Sequence, residues 1–302
     1  MTQLPVKKRF RIGLLNFLVA LSWSLFAIPV SAQPAEEAAL AASIRSLELQ
    51  LNARIGVQIT DGKSAWQWGY RSDEQFLMAS TFKPLLCGAV LDQTDQGQLS
   101  LAERVPVQQS DLLDYAPVTR NYVGQSLSIA ELCQAAIDLS DNTAANLLLN
   151  RIGGPRAVTS FLRQIGDQTT RLDRTEPELN RFVPGDIRDT TTPAAMLETW
   201  EKLLLGNSLT PAARQLLTKW METGSVTGQL LRPHLPKTWK IADKSGGGRH
   251  HTRNIVAMIS PNGHSTYFVA IFVSDTSASW SDRNSAVSQI SRAVVELLKA
   301  RL

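Results

Sequence analysis

Ser80 and Lys83 are the pair of residues in this sequence whose types and spacing most directly suggest chemistry. Ser80-Thr81-Phe82-Lys83 is the only stretch in which a serine precedes a lysine by three residues. Positions three apart share one face of a helix, so the amine of Lys83 could reach the hydroxyl of Ser80. A serine becomes an effective nucleophile when an adjacent base activates it. Chance alone gives about one such pair in a chain of this length. Whether the pair is catalytic therefore depends on the other motifs in the sequence.

A second motif combines a hydroxyl with an amide. Ser140-Asp141-Asn142 is the only one of five Ser-Asp pairs that is followed by asparagine. Its hydroxyl could pass a proton to a leaving group, and its amide could bind a substrate carbonyl. The same residue types are favoured at helix N-termini, so helix capping is the simpler interpretation of this motif on its own.

A third motif lies on a predicted strand near the end of the chain. Lys244-Ser245-Gly246 is followed by Gly247 and Gly248. Lysine and serine could bind a substrate carboxylate there, and the glycines would let a substrate approach the strand closely. A phosphate-binding loop is excluded, because the glycines follow the lysine rather than precede it. An ordinary strand end with a glycine turn is the alternative.

The segment 171–189 is charged and has no clean period, which predicts a long irregular loop. Such loops within compact proteins are usually functional or mobile. Glu176 and Asn180 lie four residues apart in it and could hold a water between them as a general-base site. A solvated charged loop is the alternative interpretation.

The first 32 residues have the pattern of a secretory signal peptide, with basic residues at 7–11, a mostly apolar stretch and a cleavage site after Ala32. We therefore expect an exported, periplasmic protein; an uncleaved membrane anchor is the alternative. The leader contains four basic and no acidic residues, which accounts for the whole net charge of +4. The mature chain would be neutral, so we expect no nucleic-acid partner and no membrane partner after cleavage.

The two cysteines, Cys87 and Cys133, both lie in the mature part of the chain. Export to an oxidising compartment suggests one disulfide, and two buried free thiols are the alternative. No combination of histidine, cysteine and carboxylate residues has the spacing of a zinc site. We therefore expect neither a metal nor another cofactor.

Periodicity divides the mature chain into strands at both ends and helices between them. We expect a mixed α/β fold, in which an antiparallel sheet built from both termini has flanking helices and carries an all-α insertion. The predicted domains are an α/β domain (33–78 with 223–302) and an all-α domain (79–222) that holds the active-site loop 171–189. Alternation predicts strands over 55–59, 66–70, 240–245, 253–259 and 267–274, and helical patterns cover 36–51, 84–91, 128–139, 143–152, 192–206 and 284–298, with further helices starting at 155 and 211.

Taken together, these motifs resemble the class A serine β-lactamase family, with Lys-Ser-Gly in place of its Lys-Thr-Gly. The order and spacing of Ser80, Ser140, Glu176 and Lys244 agree with that family, and the resemblance covers essentially the whole mature chain. It implies the fold of β-lactamases and penicillin-binding transpeptidases. Further residues match the family's disulfide, its loop-closing ion pair, the aromatic wall of its cleft and its distal carboxylate-binding arginine: Cys87 with Cys133, Arg174 with Asp189, Tyr115 and Arg253.

The resemblance also implies a mechanism. Ser80 would attack the lactam carbonyl, with the backbone N–H groups of Ser80 and Gly247 as oxyanion hole. Lys83, or Glu176 through a water, would take the serine proton, and Ser140 would protonate the leaving nitrogen. Glu176 would then activate the water that hydrolyses the acyl-enzyme. The implied substrate-binding residues are Tyr115, Asn142, Asn180, Lys244, Ser245, Gly246, Gly247 and Arg253.

The expected function is therefore hydrolysis of penicillins and some cephalosporins by a monomer, which gives antibiotic resistance. The alternatives are a D-alanyl-D-alanine carboxypeptidase and a non-catalytic β-lactam sensor. Neither needs a carboxylate aimed at a water that clears the acyl-enzyme, so Glu176 and Asn180 favour the lactamase. A histidine-based esterase has little support, because the chain lacks a Gly-x-Ser-x-Gly motif.

Overall fold

The computed structural model describes residues 1–4, 35–248, 251–263 and 265–302. All but the first four residues of the predicted signal peptide lie outside these ranges. Residues 34–302 cluster as one compact unit. None of the helices in the described ranges is long and apolar enough to cross a membrane.

A five-stranded antiparallel sheet forms the centre of the compact unit. The described strands are β1 (Arg54–Asp61), β2 (Gln67–Tyr70), β3 (Phe76–Leu77), β4 (Arg104–Pro106), β5 (Ser126–Ser128), β6 (Thr190–Thr191), β7 (Lys240–Gly247), β8 (His251–Ser260) and β9 (Tyr267–Thr276). The central sheet has the order β2-β1-β9-β8-β7, and β1 pairs with β9 from Arg54↔Ser274 to Asp61↔Tyr267. Strands from the start of the chain thus pair beside strands from its end, as the sequence predicts.

The helices begin where the sequence supplies capping residues. Ser128 accepts a hydrogen bond from the backbone of Glu131 in a capping box, and Thr192 and Thr210 cap two later helices that open with proline. The predicted starts are therefore close to the observed ones. The described α-helices are α1 (Ala35–Leu51), α2 (Lys83–Asp95), α3 (Ile129–Asp138), α4 (Asn142–Ile152), α5 (Pro155–Gln164), α6 (Pro193–Leu204), α7 (Pro211–Glu222) and α8 (Trp280–Ala300).

Each face of the sheet carries its own hydrophobic cluster. Ile271 joins a cluster with residues of α1 and α8, whereas its neighbour Phe272 joins a cluster with residues of α2 to α7. The division follows from the strand geometry, because successive side chains point to opposite faces. The segment predicted as all-α also holds the short antiparallel pair β4–β5. The domain boundaries at 78/79 and 222/223 stay a prediction.

The predicted disulfide is not present in the structure. Cys87 of α2 and Cys133 of α3 are free thiols, both buried in the helical cluster. They are close neighbours, because Cys87 Sγ lies 3.9 Å from the carbonyl oxygen of Cys133. Burial and the adjacent Cys133 raise the pKa of the Cys87 thiol, which keeps it protonated and unreactive. The structure therefore has the alternative arrangement, two buried thiols.

The loop 171–189 is irregular, as predicted, and its two ends are held together at Asp189. Arg174 Nε lies 2.5 Å from Asp189 Oδ2. Asp189 Oδ1 also accepts the backbone N–H groups of Asp173 and Arg174 at 2.7 and 2.9 Å. Because Asp189 is buried, this ion pair is shielded from solvent. The middle of the loop contains the short 3-10 turn Glu178–Asn180.

Candidate active site

Ser80 lies on a 3-10 turn that leads directly into α2. The preceding Ala79 has a φ of 46°, in the left-handed region that residues with a Cβ rarely occupy. Asn254 of β8 fixes this approach, because its side-chain amide donates to two carbonyl oxygens just ahead of Ala79, at 2.9 and 3.0 Å. Ser80 lines a cavity of about 730 Å³.

Lys83 is fully buried at the first position of α2. Its Nζ donates to the carbonyl oxygen of Ser140 at 2.8 Å and to Asn142 Oδ1 at 2.6 Å, and it lies 3.3 Å from Glu176 Oε1. Within the described part of the chain, none of its hydrogen bonds goes to the hydroxyl of Ser80. Burial lowers the pKa of Lys83, although the Glu176 carboxylate opposes this change. The amine is thus nearer its neutral, proton-accepting form than an exposed lysine.

Ser140 and Asn142 lie in the break between α3 and α4, on either side of Asp141. Asp141 caps α4, and its carboxylate also accepts the backbone N–H of Thr119 at 2.9 Å. Capping therefore accounts for Asp141 but not for its neighbours. Ser140 has a φ of 59°, and its Oγ accepts from Lys244 Nζ at 3.1 Å. The turn forced by the cap brings a hydroxyl and an amide to the cavity wall.

Glu176 is buried in the middle of the loop 171–189 and is held from both sides. Asn180 Nδ2 donates to Glu176 Oε2 at 2.5 Å. Asn146 of α4 fixes the backbone of Glu176, because its side chain accepts the N–H at 3.0 Å and donates to the carbonyl oxygen at 2.8 Å. Glu176 Oε1 and Asn180 Oδ1 are buried and accept no hydrogen bond from the described residues, although Lys83 lies within ion-pair distance of the former.

Lys244 is buried on β7, across the cavity from the loop. Its Nζ donates to Ser140 Oγ at 3.1 Å and to the carbonyl oxygen of Ser245 at 2.7 Å. Burial lowers its pKa well below the usual lysine value, and the nearby charges of Lys83 and Arg253 lower it further. A neighbouring anion would stabilise the charged form of Lys244. It would thereby oppose the effects of burial and of the two nearby positive charges on the pKa.

The two glycines after Ser245 are required by close packing. A Cβ on Gly246 would lie 2.7 Å from the carbonyl oxygen of Met78, on the segment that leads to Ser80. A Cβ on Gly247 would lie 2.8 Å from the ring of Trp280. At Gly246 the strand therefore approaches the turn that carries Ser80 more closely than a residue with a Cβ would allow.

Arg253 reaches the cavity from β8, next to these glycines. Its Nε donates to Asn284 Oδ1 at 2.6 Å, and Nη1 donates to the carbonyl oxygen of Gly246 at 3.1 Å. The guanidinium carbon lies 4.4 Å from the ring centroid of Trp280. Burial and then the charge of Arg283 lower the pKa of Arg253 to about 10.

The structure brings together all twelve residues that the sequence predicts for catalysis and substrate binding. Lys83, Glu176 and Lys244 are buried just behind the cavity wall and are linked to it through Ser140 and Asn180. The other nine line the cavity: Ser80, Tyr115, Ser140, Asn142, Asn180, Ser245, Gly246, Gly247 and Arg253. In the described ranges, no cluster of three or more histidine, cysteine or acidic residues could hold a metal ion.

Sequence reasoning missed three asparagines that position these residues. Asn146 holds the backbone of Glu176, Asn254 holds the approach to Ser80, and Asn284 binds Arg253. Each lies far along the chain from its partner and belongs to no short motif. Asn146 has a weak signal, since a polar residue interrupts an otherwise apolar stretch of α4.

Comparison with known proteins gives the family. Residues 39–298 match the model of the β-lactamase enzyme family. A β-lactamase from Rhodobacter capsulatus is 48% identical over 281 residues, which cover 93% of this chain and 95% of the relative. The structure of a β-lactamase from Xanthomonas campestris pv. campestris has a TM-score of 0.85 at 43% identity and covers 87% of this chain and 98% of its own. The structure of the class A β-lactamase of the last common ancestor of Gram-negative bacteria has a TM-score of 0.84 at 46% identity. The match covers 86% of this chain and 99% of the ancestral one.

The mixed α/β fold, with an antiparallel sheet and a helical cluster on one face, is the fold of these class A enzymes, so the predicted fold class is confirmed. Both the matched length and the identity show the family. The chain belongs to the β-lactamase enzyme family and is a class A serine β-lactamase, a hydrolase associated with antibiotic resistance.

Proposed function

We propose that this enzyme hydrolyses penicillins and some cephalosporins through an acyl-enzyme on Ser80, which a water activated by Glu176 then releases. The observation that carries the proposal is the pair of buried acceptors beside the nucleophile's cavity. Glu176 Oε1 and Asn180 Oδ1 have lone pairs that no described donor fills, and Asn180 holds the other carboxylate oxygen. A water that donates to both oxygens would be oriented for attack and could give its proton to Glu176.

Either of two groups would take the proton of Ser80 during acylation. Lys83 starts the helix that follows Ser80, and burial lowers its pKa toward the range of a useful base. Glu176 could act instead through a water. The lowered pKa favours Lys83, and its contact with Glu176 offers a path by which the two can share the proton.

Ser140 would carry a proton to the lactam nitrogen as the ring opens. Its hydroxyl oxygen lies within 3.4 Å of Lys83 Nζ and 3.1 Å of Lys244 Nζ. When both lysines are protonated, they donate to the hydroxyl oxygen, and the hydroxyl hydrogen is left to point into the cavity. A proton from either lysine can replace the one that Ser140 gives away.

Recognition of the substrate would use opposite sides of the cavity. Lys244, Ser245 and Arg253 would hold the carboxylate through charge-assisted hydrogen bonds. Asn142 accepts from Lys83 through Oδ1, which leaves its amide hydrogens for the carbonyl of the substrate's acylamide side chain. The backbone N–H groups of Ser80 and Gly247 would form the oxyanion hole.

We further propose that the enzyme acts in the periplasm as a monomer, after cleavage of the leader at Ala32. Its partner would be the small β-lactam alone, with no nucleic acid and no membrane. The basic residues at 7–11, followed by a mostly apolar stretch, support this view of the leader, and the neutral mature chain supports the absence of polyanionic partners.

The decisive experiment compares Glu176→Gln with Glu178→Gln, an exposed carboxylate on the same turn. With benzylpenicillin, Glu176→Gln should accumulate an acyl-enzyme visible by mass spectrometry, because deacylation slows by at least about a hundredfold. Glu178→Gln should turn over as the native enzyme does. Native-like turnover by Glu176→Gln would remove Glu176 from deacylation. Acylation without turnover by the native protein would favour the sensor or the carboxypeptidase.

A further inference from the structure

Asp243 is a buried carboxylate on β7, next to Lys244, and no step of the proposed mechanism uses it. It accepts two hydrogen bonds from the guanidinium of Arg232, from Nε to Oδ2 at 3.0 Å and from Nη2 to Oδ1 at 2.9 Å. The hydroxyl of Thr227 donates to Oδ1 at 2.9 Å. Burial raises the pKa of Asp243, and the hydrogen bonds from Arg232 oppose that change. Asp243, Arg232 and Thr227 thus form a polar cluster around a carboxylate that solvent does not reach.

Arg232 ties this carboxylate to the end of α7. Its Nη1 and Nη2 also donate to the carbonyl oxygens of Glu222 and Met221, at 2.9 and 3.0 Å, in the last turn of the helix. The last carbonyls of a helix have no partner within it, so a cation there satisfies them. Gly224 lies so close to the guanidinium that a Cβ on it would overlap that group. The chain after α7 therefore wraps around Arg232.

The chain next to this polar cluster reaches the active-site cavity at two points. Val226, which precedes Thr227, lines the cavity. Lys244, which follows Asp243, donates to Ser140 Oγ at 3.1 Å. Neighbouring side chains of a strand point to opposite faces, so the carboxylate of Asp243 lies behind the strand that presents Lys244. The polar cluster therefore anchors one part of the cavity wall together with the strand that carries Lys244.

The charge of Asp243 acts on Lys244 in a site with little other negative charge. Burial and the charges of Lys83 and Arg253 lower the pKa of Lys244. The charges of Asp243 and Glu176 raise it. Because charges inside a protein are screened much less than charges in solvent, an ionised Asp243 helps Lys244 to keep its proton.

We propose that Asp243 is a positioning residue for the reaction: held by Arg232 and Thr227, it fixes β7 behind Lys244 and keeps the Lys244 ammonium group charged for binding of the substrate carboxylate. The inference rests on the proposed function, in which Lys244 binds that carboxylate. Asp243 does not line the cavity. It acts through the charge and the placement of its neighbour.

The test follows the alkaline limb of the pH profile of kcat/KM for benzylpenicillin, which reports groups of the free enzyme. Asp243→Asn removes a negative charge and leaves the charge of Arg232, so Lys244 should lose its proton at lower pH. The limb should move down by about 0.5–1 pH unit, less than the shift of about 1–3 units that a charge in direct contact causes. Arg232→Gln leaves an unbalanced carboxylate and should move the limb to higher pH. Thr227→Val removes a hydrogen bond but no charge, so its limb should stay in place.

Thermal unfolding of each variant separates this effect from a loss of structure. All three variants should have a lower Tm, because each loses hydrogen bonds in the polar cluster. A loss of structure alone would lower kcat/KM at every pH and would not move the limb in opposite directions. An unmoved limb in folded Asp243→Asn overturns the inference, and so does an equal shift in Thr227→Val. If Asp243→Asn does not fold, an unmoved limb in Arg232→Gln overturns it.

Lys244→Arg separates the failure of this inference from that of the proposed function. An arginine keeps its charge, so this variant should move the limb to higher pH. If it does so while Asp243→Asn leaves the limb in place, the inference fails and the proposed function stands. A native enzyme that does not turn over benzylpenicillin refutes the proposed function itself. A limb that Lys244→Arg leaves unmoved removes Lys244 as its source, and this inference with it.

Discussion

Replacing Gly246 by alanine tests whether close packing of β7 against the turn that carries Ser80 sets the activity. The new Cβ would lie 2.7 Å from the carbonyl oxygen of Met78 and 3.1 Å from the backbone nitrogen of Thr81. Both are backbone atoms on either side of Ser80, so no side-chain rotation can relieve the contact. The φ of Gly246 is not positive, and the alanine is therefore strained by its neighbours alone.

The size of the effect follows from the displacement that the Cβ demands. Ordinary contact begins near 3.4 Å, so the strand and the turn must separate by about 0.7 Å. Misplacing reacting groups by about 1 Å can cost about a hundredfold in rate, so we expect kcat/KM to fall roughly 10- to 100-fold. This corresponds to about 1.4–2.7 kcal/mol of transition-state stabilisation. Overpacking of this kind should also lower the free energy of unfolding by about 1–3 kcal/mol.

The assay is the rate of hydrolysis of a chromogenic cephalosporin, together with thermal unfolding followed by circular dichroism. Gly228→Ala is the matched control, because nothing lies within 4 Å of its Cβ position and its φ is not positive. It should retain native kcat/KM and native Tm. If Gly246→Ala also retained both, the approach of β7 to the turn would not set the geometry of the site, and the reasoning would be wrong.

Three further predictions concern groups around the cavity. Asn146→Leu removes two hydrogen bonds to the backbone of Glu176, so denaturant unfolding should show a loss of about 1–3 kcal/mol and rapid-quench kinetics should show slower deacylation; native deacylation would contradict this role. Burial lowers the pKa of Lys244, so its charge is lost at a lower pH than that of an ordinary lysine, and KM should rise on the alkaline side of the pH profile. Lys244→Arg keeps its charge and should move this rise in KM to higher pH. Superimposable pH profiles of the two enzymes would exclude Lys244 as the source of the rise. Thiol titration should detect no reactive cysteine in the native protein and two after unfolding, whereas none after unfolding would mean that Cys87 and Cys133 form a disulfide.

The elements that the sequence predicted well have local signals. The start of α3 depends on Ser128 and Glu131, three residues apart, and the structure contains both hydrogen bonds of that capping box. The strand Tyr267–Thr276 is almost continuously apolar and is buried on both faces, which fits its position between β1 and β8. A pattern that lies within a few residues requires no knowledge of the rest of the fold.

The contacts of Lys83 illustrate what the sequence could not supply. Its three-residue spacing from Ser80 predicts a contact between the two side chains, whereas its amine donates to Ser140 and Asn142 instead. Those partners lie almost sixty residues away and face Lys83 only because Asp141 caps α4 and turns the chain there. Partners of this kind depend on tertiary packing, which neither periodicity nor a short motif encodes. The spacing of Cys87 and Cys133 likewise matched a family disulfide and correctly indicated that the two residues are neighbours in space. The spacing could not show whether a bond joins them.

The balance of charge around the cavity gives a physical reason for an anionic substrate. Lys83, Lys244 and Arg253 surround the site. Glu176 contacts Lys83, and the carboxylates of Asp243 and Glu176 oppose only part of the change in the pKa of Lys244. The lowered pKa of Lys244 reflects this imbalance, since burial and the charges of Lys83 and Arg253 all disfavour its ammonium form. A substrate carboxylate beside Lys244 and Arg253 would supply the missing negative charge and raise the pKa of both groups. If Lys244 binds the substrate carboxylate, substrate binding and protonation of Lys244 would be coupled, so that carboxylate would also keep its binding site charged.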